Sequence, residues 1–163
     1  MSYPPALYDG DGDGEASAWV RRTDEPPALT YATGGTVDYL ATGEATGGLF
    51  GLYRWNFSGP VSGPDPHFHK TISESFYVLT GTVRFHDGSG WTDGQAGDFV
   101  HVPPGGVHGF RNESGQPASM LLHFAPGAPR EPYFETLKAV GDGLRMTPEE
   151  REAFMFAHDT FWL

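Results

Sequence analysis

Cysteine is absent from all 163 residues. Its absence excludes disulfides, thiolate metal sites and a cysteine nucleophile, and leaves nitrogen and oxygen as the available ligand atoms. Positive charge is scarce: 10 Lys and Arg stand against 21 Asp and Glu, a formal net charge of −11. An acidic surface of that size repels phosphate backbones, so sequence-independent nucleic-acid binding is not expected. No apolar run approaches the roughly 18 residues that a membrane-crossing helix requires, so no membrane partner is expected. The start, Met1-Ser2-Tyr3-Pro4-Pro5, has no basic stretch followed by an apolar one. No signal peptide is read there, and a cytoplasmic location is expected.

Glycine (23) and proline (14) are abundant, and 14% of the chain is aromatic. That combination reads as a turn-rich all-β domain rather than as disorder. The length fits one domain with a sizeable core.

Residues 1–34 read as an irregular N-terminal arm. Within it, Asp9-Gly10-Asp11-Gly12-Asp13-Gly14 has the look of a calcium loop. Such a loop needs a bidentate Glu at its twelfth position, where Val20 stands, so the segment reads as a solvated acidic turn. Residues 35–128 read as a β-sandwich or barrel. Leu49, Gly51, Tyr53, Trp55 and Phe57 alternate with Phe50, Leu52, Arg54 and Asn56, the period of a strand with one face inward. Phe76–Leu79 is a short apolar run ended by Gly81, and Thr82–His86 alternates again. Asp87-Gly88-Ser89-Gly90 is a turn. Asp98–Val102 and Ser119–Phe124 read as two more buried strands, a spacing that suits a sandwich or barrel. Residues 129–163 read as a helical tail packing on the barrel. Tyr133–Val140 has helical spacing at Phe134, Leu137 and Val140, with Gly141 as its stop. Thr147-Pro148-Glu149-Glu150 is a capping box, followed by a stripe of Phe154, Ala157 and Phe161. The stripe packs on the barrel or, on a sharper reading, forms a lid over its mouth.

The chemistry concentrates in Pro66-His67-Phe68-His69-Lys70-Thr71-Ile72-Ser73-Glu74. On a strand, residues two apart share a face, so His67 and His69 project both imidazoles at a separation one metal ion can bridge. Glu74 joins that face only if the chain bends across Lys70–Ser73. Downstream, Pro103-Pro104-Gly105-Gly106-Val107 forms a stiff turn with His108 at its exit.

His67-x-His69, four residues, Glu74, six residues, Gly81 resembles the first motif of the cupin superfamily. Gly97, five residues, Pro103-x-Gly105, two residues, His108, three residues, Asn112 resembles its second. One position departs: Val61 stands where the family usually has glycine, flanked by Gly59 and Gly63. The resemblance implies an antiparallel jelly-roll barrel with short C-terminal helices and His67, His69, Glu74 and His108 as metal ligands. It also implies a homodimer, with the N-terminal segment as the exchanged element. Three imidazoles and one carboxylate suit one divalent transition metal among Fe, Ni, Mn, Co, Cu and Zn. Ligands gathered on one side leave room for substrate, which favours catalysis over a closed structural site.

His101, His86 and His123 read as satisfied core histidines, and Phe68 as core filler. Tyr53, Trp55, Phe76, Phe85 and Phe110 read as core aromatics that can line an apolar substrate cavity. The run Glu74-Ser75-Phe76-Tyr77-Val78-Leu79-x-Gly81 and the helical tail resemble the quercetin-dioxygenase-like cupins. That resemblance implies oxygen-dependent oxidation of a small phenolic or enolic, flavonol-like substrate, with Glu74 taking a substrate proton. Other classes consistent with the sequence are a metal-dependent cyclase or isomerase of a polyketide-like or sugar-like substrate, and a non-enzymatic small-molecule-binding cupin.

Overall fold

The computed structural model describes residues 2–14 and 16–163. In chain order the elements are β1 (Leu29–Thr30), β2 (Thr36–Ala41), β3 (Gly51–Phe57), β4 (His67–Phe68), β5 (Ser73–Thr80) and β6 (Thr82–His86). They continue with β7 (Trp91–Gln95), β8 (Phe99–Val102), β9 (Gly109–Arg111), β10 (Ala118–Ala125), α1 (Glu131–Gly141), α2 (Pro148–Ala157) and β11 (Phe161–Trp162). A large sheet runs β1-β2-β3-β10-β5-β8, a second runs β7-β6-β9, and β11 pairs with β4. The strand pairs are antiparallel. The fold is an antiparallel jelly roll. Pairing begins at Leu29, inside the segment read from sequence as an arm.

Alternation along the strands builds the core. In β10 burial strictly alternates, with Ala118, Met120, Leu122 and Phe124 inward. In β5 the inward set is Glu74, Phe76 and Val78, so a carboxylate shares a face with two apolar side chains. Each fully buried Phe, Leu or Met contributes roughly 1.5–3 kcal/mol by leaving water. The β5–β6 connection depends on Gly81. Its φ is +71°, and a Cβ there would lie 2.6 Å from Pro117 O. Val61, where the family usually has glycine, is exposed, and Gly59 and Gly63 on either side both have positive φ. Gly63 has φ +134°, and a Cβ would collide with the Phe110 carbonyl. Asn112 is fully buried and anchors the following turn, donating to Gln116 O and accepting from the Ser114 N–H and hydroxyl.

The tail packs as two helices. The capping box of α2 is present: Thr147 Oγ1 accepts from Glu150 N–H at 3.2 Å, and Glu150 accepts from Thr147 N–H at 2.9 Å. Phe134 of α1 meets Tyr53 and Trp55 of β3 edge-on, with ring centroids 5.2 and 5.4 Å apart. Four expectations are corrected. α1 includes Gly141, with Asp142 as its cap and the positive φ at Gly143. The α2 stripe does not run Phe154-Ala157-Phe161. The helix stops at Ala157, Phe161 belongs to β11, and Met155 is the buried residue. His101 is exposed and meets Ser75 Oγ rather than filling core, while His86 and His123 are half-buried. Phe68 is also half-buried and stacks on Phe161.

Candidate metal centre

His67 opens β4, and its backbone pairs with that of His108 in both directions. His67 N–H donates to His108 O, and His108 N–H donates to His67 O, each at 2.8 Å. This pairing brings the two imidazole centroids to 4.5 Å. His69 is tied to the proline-glycine turn, its carbonyl accepting from Gly105 N–H at 2.6 Å. The bend that brings Glu74 to the same face is clamped from the far end of the chain. The Asp159 carboxylate accepts from Lys70 N–H, Thr71 N–H and the Thr71 hydroxyl. His67, His69, Glu74 and His108 are each 4% exposed or less. One potential ligand atom from each lies within 4.8 Å of all the others.

The ring orientations follow from the backbone. Nδ1 of His67 lies 2.8 Å from Asp65 O, that of His69 lies 2.6 Å from Asp159 O, and that of His108 lies 2.9 Å from Gly106 O. A carbonyl only accepts, so each Nδ1 carries the proton and each neutral ring presents its Nε2 lone pair to the site. Nε2 of His69 and of His108 stand 3.1 and 2.7 Å from Glu74 Oε2. Lone pairs and a carboxylate packed together away from water need a cation among them. Three imidazole nitrogens and one carboxylate oxygen fit a divalent transition metal, and a carbonyl behind each ring is the support metal-bound imidazoles use.

The proton affinities carry the same tension. In the metal-free site a ring proton at Nε2 takes the cation's place: burial alone would raise the Glu74 carboxyl, but hydrogen bonds from His108 and His69 then outweigh burial and hold it below the ordinary range. Burial also acts to lower His108, yet contact with Glu74 prevails and raises it. His67 is pushed down to about 4, by burial first and by His108 second.

Glu74 and His67 open onto a cavity of about 390 Å³. Of the five aromatics expected to line it, Trp55 and Phe110 do. Tyr53, Phe76 and Phe85 lie in the core instead, the Tyr53 hydroxyl donating to Glu131 at 2.5 Å. The remaining wall comes largely from outside the motifs: Tyr31, Arg130, Tyr133, Phe134, Met155 and Trp162. Trp162 enters through β11, paired opposite His67. No local sequence signal marks these positions, because their place depends on how the tail docks.

The family described as Cupin domain matches residues 58–124, a segment holding all four converging side chains. Over those residues the chain resembles a cupin domain. Over 95 residues the chain is 37% identical to quercetin 2,3-dioxygenase of Bacillus subtilis, a match covering 55% of this chain and 26% of that protein. The chain therefore spans about a quarter of the length of that curated relative. Among solved structures, a predicted oxalate decarboxylase from Thermotoga maritima superposes with a TM-score of 0.57 at 23% identity, over 67% of this chain and 99% of the other. The polyketide cyclase RemF from Streptomyces resistomycificus gives 0.54 at 24% identity, over 68% of this chain and 80% of the other. At those identities the likeness is one of fold. The chain resembles the quercetin-dioxygenase-like cupins, and its buried His/Glu cluster could bind a metal.

Proposed function

We propose that this protein is a metal-dependent oxygenase acting on a small, flat phenolic or enolic substrate, with His67, His69, Glu74 and His108 as the metal ligands. The observation that carries the reading is the complete three-histidine, one-glutamate donor set, two of whose members, His67 and Glu74, line an aromatic cavity. The 37% identity to a quercetin 2,3-dioxygenase supports the reaction class. A bound divalent transition metal supplies Lewis acidity to a coordinating substrate oxygen and, when redox-active, a route for electrons to dioxygen.

The chain's own residues do the rest. Trp55 and Phe110 give a flat ring apolar surface and keep water from it. Glu74, a cavity-lining carboxylate, accepts the proton of the substrate hydroxyl as that oxygen takes its place beside the site. His69 and His108 bring their Nε2 atoms to 3.1 and 2.7 Å from Oε2, gathering the donor atoms around one point.

Oxygen uptake measured over a panel of flavonols, catechols and diketones tests the proposal. Uptake that matches substrate loss is expected, with Glu74→Gln slowing turnover by about 10² or more while some metal is retained. Turnover that persists without oxygen, in the wild type and in Glu74→Gln, would instead establish a Lewis-acid cyclase or isomerase on the same donor set.

A further inference from the structure

Arg130 stands at the start of α1 and is 3% exposed. Its Nη1 donates to His158 O at 2.6 Å, joining the start of α1 to the end of α2. Its guanidinium carbon lies 4.2 Å from the Tyr133 ring centroid and 5.1 Å from that of Phe124. Among the described residues it forms no ion pair, and its buried Nε has no hydrogen-bond partner. The nearby carboxylates are engaged elsewhere. Glu74 is held by His69 and His108, Asp159 by the Lys70–Thr71 backbone, Asp65 by Arg111, and Glu131 accepts from Tyr53.

A guanidinium keeps its charge at every physiological pH, and a buried one without a counter-ion is strongly unfavourable. Arg130 nevertheless lines the same cavity as Glu74 and His67. Two other residues of that wall, Tyr31 and Trp162, carry a hydroxyl and an indole N–H that are buried and unpartnered among the described residues. Indole and guanidinium N–H groups can only donate. Arg151, an exposed residue, adds a second cation to the lining. The lining thus sets two arginines and two unpartnered polar groups beside two carboxylates, Asp65 and Glu74, that are engaged elsewhere, around an apolar floor.

We propose that Arg130 is an anion-binding residue of this cavity and that the substrate is a flat hydroxy acid, its carboxylate on Arg130 and its ionisable hydroxyl at the Glu74 end. Only the placement of the hydroxyl rests on the oxygenase reading. The carboxylate site stands on Arg130 and the cavity wall. Arginine suits the task because its planar fork matches a carboxylate, and a charge-assisted bond in a water-poor site is among the stronger polar contacts. Nη1 is already committed to His158 O, so Arg130 arrives pre-positioned.

Salicylate and salicylamide have nearly the same shape and differ in charge, so calorimetric titration of the two is the test. It is run on the protein as purified and again after chelator treatment. Wild type is expected to bind the acid at least tenfold more tightly than the amide in both preparations. Arg130→Met, which retains bulk, is expected to lose that preference with metal content unchanged. Arg130→Lys, which keeps the charge without the fork, is expected to keep a reduced preference and serves if Arg130→Met fails to fold. Equal binding of acid and amide by wild type, binding of neither, or a preference that survives in Arg130→Met would overturn the proposal. The wild-type comparison needs no variant. The two proposals fail separately: oxygen-independent turnover would remove the oxygenase reading and leave the acid preference standing, whereas equal binding of acid and amide removes the anion site and leaves the metal site intact.

Discussion

Burial and the neighbouring His108 push the His67 imidazole down to about 4, from an ordinary value of 6.5. Between those two values the unfolded chain binds a proton that the folded chain refuses. Stability is therefore complete above pH 6.5 and is lost as pH falls through 4, by up to about 3 kcal/mol for this group alone. Glu74, held low by its histidine contacts, loses stability in the same direction at still lower pH. His108 is raised, so its contribution has the opposite sign and fades as pH rises. Chelator-treated protein is expected to show a thermal midpoint that drops from pH 6.5 to 4, with a shallower drop in His67→Gln. A profile flat across that window, or one unaffected by the substitution, would contradict the assignment. The His67–His69 pair was legible in sequence because period-two spacing is a local rule, whereas Glu74 and His108 joined it through the resemblance to the cupin motifs. Separating Trp55 and Phe110 from Tyr53, Phe76 and Phe85 was not legible. Alternation says which face a side chain takes, but the depth along the barrel that makes it wall or core is set by the assembled sheets.

At the scale of elements, the tail is part of the site. β11 pairs with β4, Trp162 opposite His67 and Phe161 opposite Phe68. Asp159, just ahead of β11, has φ +53°, clamps the Lys70–Thr71 bend with its carboxylate and receives the His69 ring N–H on its carbonyl. Asp159→Ala removes the carboxylate's bonds and puts alanine in a left-handed conformation, a loss of about 2–3 kcal/mol. Metal affinity is expected to fall tenfold or more as the unclamped backbone shifts the Asp159 carbonyl that supports the His69 ring. Asp159→Asn tolerates that conformation and keeps one acceptor, so a smaller loss is expected. Thermal unfolding and metal titration of the two variants check this, and wild-type values in Asp159→Ala would contradict it. The α2 capping box could be read from four residues, whereas β11 could not. Two residues are too few to show alternation, and their partner strand lies almost the whole barrel away in sequence.

For the whole molecule, the class was readable and the wiring was not. Short alternating runs separated by turns pointed to a β-sandwich or barrel, and the resemblance to the cupin motifs implied the antiparallel jelly roll. The order β1-β2-β3-β10-β5-β8 depends on contacts between distant segments that no window of sequence contains. That order sets β5, carrying Glu74, between β10 and β8, while the separate His67–His108 bridge supplies two of the three imidazoles. The central claim is that this convergence is a metal centre, and elemental analysis of purified protein tests it most directly. The wild-type chain is expected to carry close to one transition-metal ion. His67→Ala and His108→Ala, each folded by far-ultraviolet circular dichroism, are expected to lose most of it, because affinity depends on the whole ligand set. Wild-type metal content in either variant would contradict the account.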